Sequence, residues 1–384
     1  MEISTLVPAF VRRYVRNHLI NALEGQVMRK YPFKFLTQQR HLPKRSVAAT
    51  TLALGLSASF CLTNTAQAQD LYFAQPFASR LHTNSAFAGL LDDYGVTFNY
   101  RNQFPTLAGP FQTSQLAADY RFPSQKSAVG LLIDYDRTGS IGYTRFEAGG
   151  VYAYHTRLTE GLSLSGGINV SYGNQRISYG NLVFGDQLSD DGLVLNQSSE
   201  AFDYKPTSYF TVGTGVLLYS EQFWFGVAGH HLNQPDLGFA TQTQLPVRLN
   251  INAGYKYYFL KSTVKQEYRE ISLSPVVNYA KQGGSQRAEV GLYGTVTPLT
   301  LGVMYRGLPL PGTNHPQKVL TTIAGVSFGA FRLGYSYDVS LSQFSADYGG
   351  AHEISLAVRN FDKLEAAWRR LKRRNYPAAP CPAF

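Results

Sequence analysis

Charged residues and cysteines are both scarce in this chain. Only 16% of its 384 residues are Asp, Glu, Lys or Arg, against about 25% in ordinary soluble domains. Aromatic residues make up 14%, which excludes a disordered or charge-solvated chain because such chains are poor in aromatic residues. Two cysteines allow at most one disulfide bridge, so a scaffold built on disulfides is excluded as well.

Long apolar runs are also missing, apart from one near the N-terminus. Lys44-Arg45 precede an apolar stretch from Val47 to Leu62, and Ala66-Gln67-Ala68 follow as a small-residue cleavage pattern. This order predicts a cleaved signal peptide over residues 1–68. The stretch is too short and too rich in Ser and Thr for a helical membrane span. Met28 offers an alternative start, which would make residues 1–27 an over-extended gene start.

The net charge of +10 is concentrated at the two ends of the chain. Residues 1–68 carry nine Lys or Arg against two acidic residues, and residues 361–384 carry six against two. Residues 69–360 hold 20 basic and 21 acidic residues. Since nucleic-acid binders present a basic patch or stripe on the folded body, we expect no nucleic-acid partner.

The body of the chain is dominated by alternation of apolar and polar residues, which is the pattern of strands with two different faces. In residues 247–259, for example, Ile251 falls on the apolar face and Asn252 on the polar face. The sequence predicts fourteen strands, at 94–101, 113–122, 127–136, 143–155, 162–176, 207–220, 222–232, 247–260, 270–281, 286–297, 299–307, 317–328, 330–340 and 350–359.

Several features of these strands favour a membrane barrel over a soluble sandwich. The alternating segments run for about ten residues, the length of a tilted strand that crosses a bilayer. Their apolar faces often end in Tyr or Phe, as in the aromatic girdles of outer-membrane barrels. Lipid admits only helices and closed barrels. We therefore predict an all-β transmembrane outer-membrane β-barrel of about 14 antiparallel strands over residues 94–360, surrounded by outer-membrane lipid.

Two segments lie outside the predicted barrel. Residues 69–93 are too apolar for a free linker and are predicted to plug the lumen or to cap its rim. Residues 361–384 form a basic tail with helical spacing, which is interpreted either as a helix at the lipid headgroups or as a docking arm. Both termini are predicted to be periplasmic. The candidate partner-binding residues of the tail are Trp368, Arg369, Arg370 and Cys381, the only cysteine left after signal cleavage.

The polar faces offer further candidates. Asp134, Arg145 and Glu147 lie on adjacent predicted strands and point inward. They are interpreted either as a charge ladder in the lumen wall or as a surface that fixes the plug or a partner. Gly166-Gly167 within a strand pattern marks a bend or a close contact with a plug. His230-His231 is a weak metal motif, because strand neighbours face opposite sides and one histidine would face lipid or its interface. We predict no catalytic site, metal or cofactor.

Particular strings then point to a family. They include Phe73-Ala74-Gln75-Pro76-Phe77, Asn84-Ser85-Ala86-Phe87-Ala88-Gly89, His230-His231-Leu232-Asn233-Gln234-Pro235 and Gly349-Gly350-Ala351-His352-Glu353. In this order they resemble the PorP/SprF family, outer-membrane proteins of the type IX secretion system in the Bacteroidetes. One departure is Ser85, where the family usually has proline.

The resemblance implies a non-enzymatic component of the secretion and gliding machinery. Its implied partners are the periplasmic ring components of the type IX system and the secreted substrate proteins, whose export or surface attachment it would aid. A general outer-membrane porin or small-solute channel is the alternative. The resemblance does not identify the substrate.

Overall fold

The computed structural model describes residues 70–90, 94–107, 109–122, 126–139, 142–178, 187–188, 205–238, 242–264, 267–310, 318–341, 348–359 and 380–382. The predicted signal peptide lies outside these residues, as do Trp368, Arg369 and Arg370 of the tail.

Nearly all of the described chain is β-strand. A four-residue helix α1 (Arg80–Thr83) and a 3-10 turn (Ser85–Phe87) precede the strands. The strands are β1 (Tyr94–Gln103), β2 (Phe111–Arg121), β3 (Ser127–Thr138), β4 (Tyr143–Arg157), β5 (Ser163–Ile177), β6 (Thr207–Tyr219), β7 (Phe223–His230), β8 (Arg248–Tyr255), β9 (Tyr257–Val264), β10 (Glu267–Gln282), β11 (Ser285–Val296), β12 (Leu299–Arg306), β13 (Val319–Phe328), β14 (Phe331–Ser340) and β15 (Ala351–Arg359).

The sheet closes on itself. Neighbouring strands pair antiparallel along the chain, and β15 pairs with β1. Strands β8 and β9 both pair with β10, one after the other. They are therefore two parts of one transmembrane strand, and each such strand of the barrel wall is called a stave below. The described residues thus form a closed antiparallel barrel of fourteen staves, which confirms the predicted fold class.

The stave formed by β8 and β9 differs from its prediction over 247–260. It is interrupted at Lys256 and continues to Val264. The Lys256 amide donates to the carbonyl of Gln222 at 2.6 Å, and its ammonium lies 2.7 Å from Glu270 Oε1. The register against β10 shifts between Ile271 and Ser272. A lysine drawn inward to a buried acid, opposite a bulge, breaks the regular ladder.

The two faces of the wall have opposite chemistry. Outward side chains are apolar and exposed, among them Phe98, Ile168, Val170, Phe210 and Leu301. Inward side chains are polar and buried, among them Asn99, Gln115, Asn252, Ser336 and Glu353. This inversion of the usual soluble pattern suits a barrel that is surrounded by lipid. Among the described residues, no helix is long and apolar enough to span a membrane.

Candidate functional site: a lumen occupied by the chain itself

The two ends of the barrel are distinguished by their connections. At one end, the loop end, strands β5, β7 and β12 finish and are followed by connections of 12 residues or more before the next strand begins, whereas the other end, the turn end, carries short turns such as 220–222 and 329–330. Residues 70–90, the lumen segment, run from one end to the other inside the wall. Asp70 contacts Arg145 and Arg248 at the loop end, and Ala88 O lies 2.9 Å from His155 Nε2 near the turn end.

Glycines of the wall make room for the lumen segment. A Cβ added to Gly167 would lie 2.5 Å from the backbone nitrogen of Ala86, and one added to Gly215 would lie 2.0 Å from Asn84 Oδ1. A Cβ on Gly166, which faces outward, would meet nothing within 4 Å. The close approach of two backbones at Gly167 and of a side-chain amide at Gly215 leaves room only for glycine. At Gly167 and Gly215 the wall therefore has no side chain, which leaves space for the lumen segment.

Carboxylates of the strands hold the backbone of the lumen segment. Glu353 accepts hydrogen bonds from the amides of Ala74 at 2.6 Å and Gln75 at 3.0 Å, and it is 3.2 Å from Arg101 Nη1. Asp119 accepts from the Gly89 amide at 2.7 Å and pairs with Arg80. Hydrogen bonds to charged acceptors are stronger than neutral ones, so these two strand residues fix the segment at separate points along the lumen.

An apolar cluster fills the space between these anchors. The ring of Phe77 packs edge-on against Trp224, with centroids 5.7 Å apart, and against Tyr293 at 5.5 Å. Leu81, Phe87 and Leu90 belong to the same buried cluster. Aromatic pairs of this geometry add to the stabilisation that apolar burial provides.

The start of the lumen segment is held by charge. Asp70 Oδ1 lies 2.9 Å from Arg145 Nη1. The other carboxylate oxygen, Oδ2, lies 3.1 Å from Arg248 Nη1 and also contacts His231 Nε2. The Asp70 side chain is only 4% exposed. Burial by itself would raise the pKa of this carboxyl, but His231, Arg248 and Arg145 together hold it well below its ordinary value.

The residues of the wall that the sequence singled out, Asp134, Arg145 and Glu147, lie close to the start of the lumen segment. Glu147 lies 2.8 Å from Arg145 Nη2. Asp134 accepts from Gln115 Nε2 at 2.8 Å and lies 3.7 Å from His82 Nδ1 in the lumen segment. Whether these residues bind a partner stays a prediction.

His230 and His231 are both buried, so the expectation that one of them faces lipid is wrong. Strand β7 ends at His230, and His231 adopts a positive φ of 57° that takes it out of the strand alternation. His231 then turns to Thr211 and Asp70. No group of three or more metal-ligating side chains occurs among the described residues.

Cys381 is enclosed in the structure, and its role as a partner-binding residue stays a prediction. It is 3% exposed and belongs to the same buried cluster as Phe77 and Trp224. It forms no disulfide, and burial raises the pKa of its thiol to about 12. The tip of the tail, residues 380–382, therefore occupies the interior together with the lumen segment.

Comparisons with known proteins identify a family. A family model described as "Type IX secretion system membrane protein PorP/SprF" matches residues 65–358. None of the curated proteins matches this chain.

Among solved structures, similar folds include BamA from Haemophilus ducreyi lacking POTRA domains 1–3, at 8% identity over 70% of each chain and a TM-score of 0.36. The TodX deltaS2S3 mutant monoaromatic hydrocarbon channel is 11% identical over 73% of this chain and 94% of its own, with a TM-score of 0.41. The KdgM porin is 6% identical over 70% of this chain and 99% of its own, with a TM-score of 0.32.

Proposed function

Because the chain belongs to the PorP/SprF family of type IX secretion system membrane proteins, we propose that it binds polypeptides of this machinery in the outer membrane. Its partners are the periplasmic ring components and the exported proteins, and it aids the export or surface attachment of the latter. Gliding adhesins are one class of such cargo.

The occupied lumen is the observation that supports this proposal. The lumen segment is anchored to Glu353 near its start and to Asp119 near its end. Phe77 packs between Trp224 and Tyr293 from different staves. A general porin of this size would keep a water-filled channel. A barrel whose interior is taken up by its own chain is suited to holding partners at its two ends instead.

The proposed orientation follows from the connections. In outer-membrane barrels the short turns face the periplasm and the longer loops face outward. Strand β15 ends at Arg359 at the turn end, which would place the start of the basic tail in the periplasm, within reach of the ring. Asp70 lies at the opposite, loop end, and the residues before it stand outside the described chain.

Co-purification tests the proposal directly. The barrel carries an affinity tag, outer membranes are solubilised in mild detergent, and the co-eluting proteins are identified by mass spectrometry. We expect ring components and exported proteins to be enriched over a control barrel of the same membrane. Enrichment of neither group would contradict the proposal.

A further inference from the structure

Asp70 and Tyr72 occupy two adjacent subsites of the wall at the loop end. The acid subsite consists of Arg145, His231 and Arg248, which surround the Asp70 carboxylate. The aromatic subsite consists of Arg101, Arg287 and Arg306, whose guanidinium carbons lie 5.0, 4.0 and 3.9 Å from the centroid of the Tyr72 ring. One residue, Leu71, separates the two occupants.

The acid subsite is built mainly by groups of the wall. Tyr209 OH accepts from Arg145 Nε at 2.7 Å, and Glu147 accepts from Arg145 Nη2 at 2.8 Å. Thr211 Oγ1 lies 2.7 Å from His231 Nδ1. These contacts of Arg145 and His231 do not involve the lumen segment. Arg248 is held by His82 of that segment, whose Nε2 lies 3.0 Å from Arg248 Nη1 and whose carbonyl accepts from Nη2 at 3.0 Å. The subsite therefore keeps its shape when residues 70–72 alone leave it. Buried guanidinium groups demand an anion, and this forked arrangement fits a carboxylate.

The aromatic subsite is likewise held in place by strand residues. Glu289 Oε1 lies 2.8 Å from Arg306 Nε, and Asp338 Oδ2 lies 2.7 Å from Arg101 Nη2. These two acids offset part of the charge of the three arginines and orient the guanidinium groups of Arg306 and Arg101. The guanidinium faces remain available to a ring, which attracts them through its quadrupole. This subsite therefore favours an aromatic side chain.

The backbone between the two side chains is also contacted by polar groups. The Asp70 amide donates to Gln282 Oε1 at 2.9 Å, and the Leu71 carbonyl lies 3.2 Å from His82 Nε2. Residues 70–72 form no regular secondary structure and are half-buried, while the Asp70 carboxylate is enclosed. Peptides bound in a groove have the same arrangement, in which the side chains that are recognised are buried and the backbone is partly exposed.

We propose that this part of the wall is a peptide-binding groove that reads a carboxylate followed two residues later by an aromatic ring. Asp70-Leu71-Tyr72 fills the groove in cis, and an exported polypeptide with the same spacing displaces it in trans. The inference rests on the proposed function for the nature of the ligand, whereas its geometry rests on the two subsites.

A binding measurement on the purified full chain tests the groove. The probe is a fluorescent peptide, Gly-Ser-Asp-Leu-Tyr-Gly-Ser, acetylated and amidated so that the Asp side chain is its only carboxylate. Fluorescence anisotropy compares the wild type with Asp70→Ala/Tyr72→Ala. A tethered ligand competes at an effective concentration in the millimolar range, so we expect the variant to bind the probe at least about tenfold more tightly.

Two control peptides examine the two subsites separately. One carries Asn in place of Asp and the other Leu in place of Tyr, and each should lose most of the binding. Adding Arg145→Met to the double variant should also abolish binding. Should the double variant fail to assemble, Asp70→Asn, which preserves the side-chain shape, is compared with the wild type in the same way.

Two results would overturn the inference. One is equal affinity of the probe for the wild type and for the Asp70→Ala/Tyr72→Ala variant. The other is binding that does not change when the peptide loses its carboxylate. The assay contains no secretion machinery, so a failure here leaves the co-purification result standing, and a failure of co-purification leaves the groove standing.

Discussion

Replacing Gly167 by alanine should dislodge the lumen segment, whereas the same change at Gly166 should not. The two glycines are neighbours on β5 and differ in the face that they present. The Gly167 position lies against the backbone of Ser85 and Ala86, with 2.5 Å left for a new Cβ. The Gly166 position has nothing within 4 Å.

The magnitude follows from this contact. Backbone atoms cannot move aside by changing a rotamer, so the added methyl group acts as overpacking, which costs about 1–3 kcal/mol. Alanine recovers about 0.5–1 kcal/mol over glycine within a strand. The net cost for Gly167→Ala is then about 0–2.5 kcal/mol, and the midpoint of roughly 1.3 kcal/mol is about a tenfold change in the equilibrium between the docked and the displaced lumen segment. Gly166→Ala should be neutral or slightly stabilising.

Planar-bilayer recording and limited proteolysis measure this equilibrium. Gly167→Ala should show more frequent open events and faster cleavage within residues 73–90 than the wild type, at equal amounts of heat-modifiable barrel. Gly166→Ala should match the wild type in both assays. Equal behaviour of the two variants would refute the contact between β5 and the lumen segment.

Four further predictions concern the anchors, the lipid face, the tail and the acid subsite. Glu353→Gln removes one of two buried carboxylates beside Arg101, which keeps Asp338, and weakens the acceptor of the Ala74 and Gln75 amides; a lost hydrogen bond to a charged group costs about 1.5–3 kcal/mol, so we expect a lower melting temperature of the heat-modifiable band, and an unchanged one would contradict this role. Val170→Arg, at a position 50% exposed in the middle of β5, should cost about 2–4 kcal/mol and reduce the assembled barrel on gels, whereas Leu158→Arg near the rim should cost about 0–1 kcal/mol. The Cys381 thiol, with a pKa raised to about 12, should react with Ellman's reagent at pH 8 only after unfolding, and fast reaction of the folded barrel would show that the tail tip is free. Because the pKa of Asp70 is depressed in the folded state, its contribution to stability is present above about pH 4 and is lost as the pH falls further; acid should therefore release the start of the lumen segment in the wild type, and protease mapping of an Asp70→Asn variant should show no such step.

Strand alternation carried most of the fold prediction. Period two, segment length and aromatic ends identified the barrel and its fourteen staves, because lipid forces every strand to turn an apolar face outward. The interruption between β8 and β9 at Lys256 could not be predicted from alternation. It depends on Glu270, which lies on the following strand β10 and comes beside Lys256 only once the two strands have paired.

The site was predicted less completely than the fold. Asp134, Arg145 and Glu147 stood out as inward charges on neighbouring strands, but Asp70 carries no periodic signal, since it lies in an irregular segment. Alternation also cannot distinguish a wet lumen from a packed one. Asn252 is on the polar face as expected, yet it is only 3% exposed because the chain fills the interior.

Deleting the gene and restoring it on a plasmid tests the central claim most directly, with exported proteins and small-solute uptake measured in the same cells. The account predicts that particular exported proteins disappear from the medium or the cell surface, that uptake stays normal, and that the plasmid restores export. Normal export together with impaired solute uptake would contradict it and identify the barrel as a solute channel.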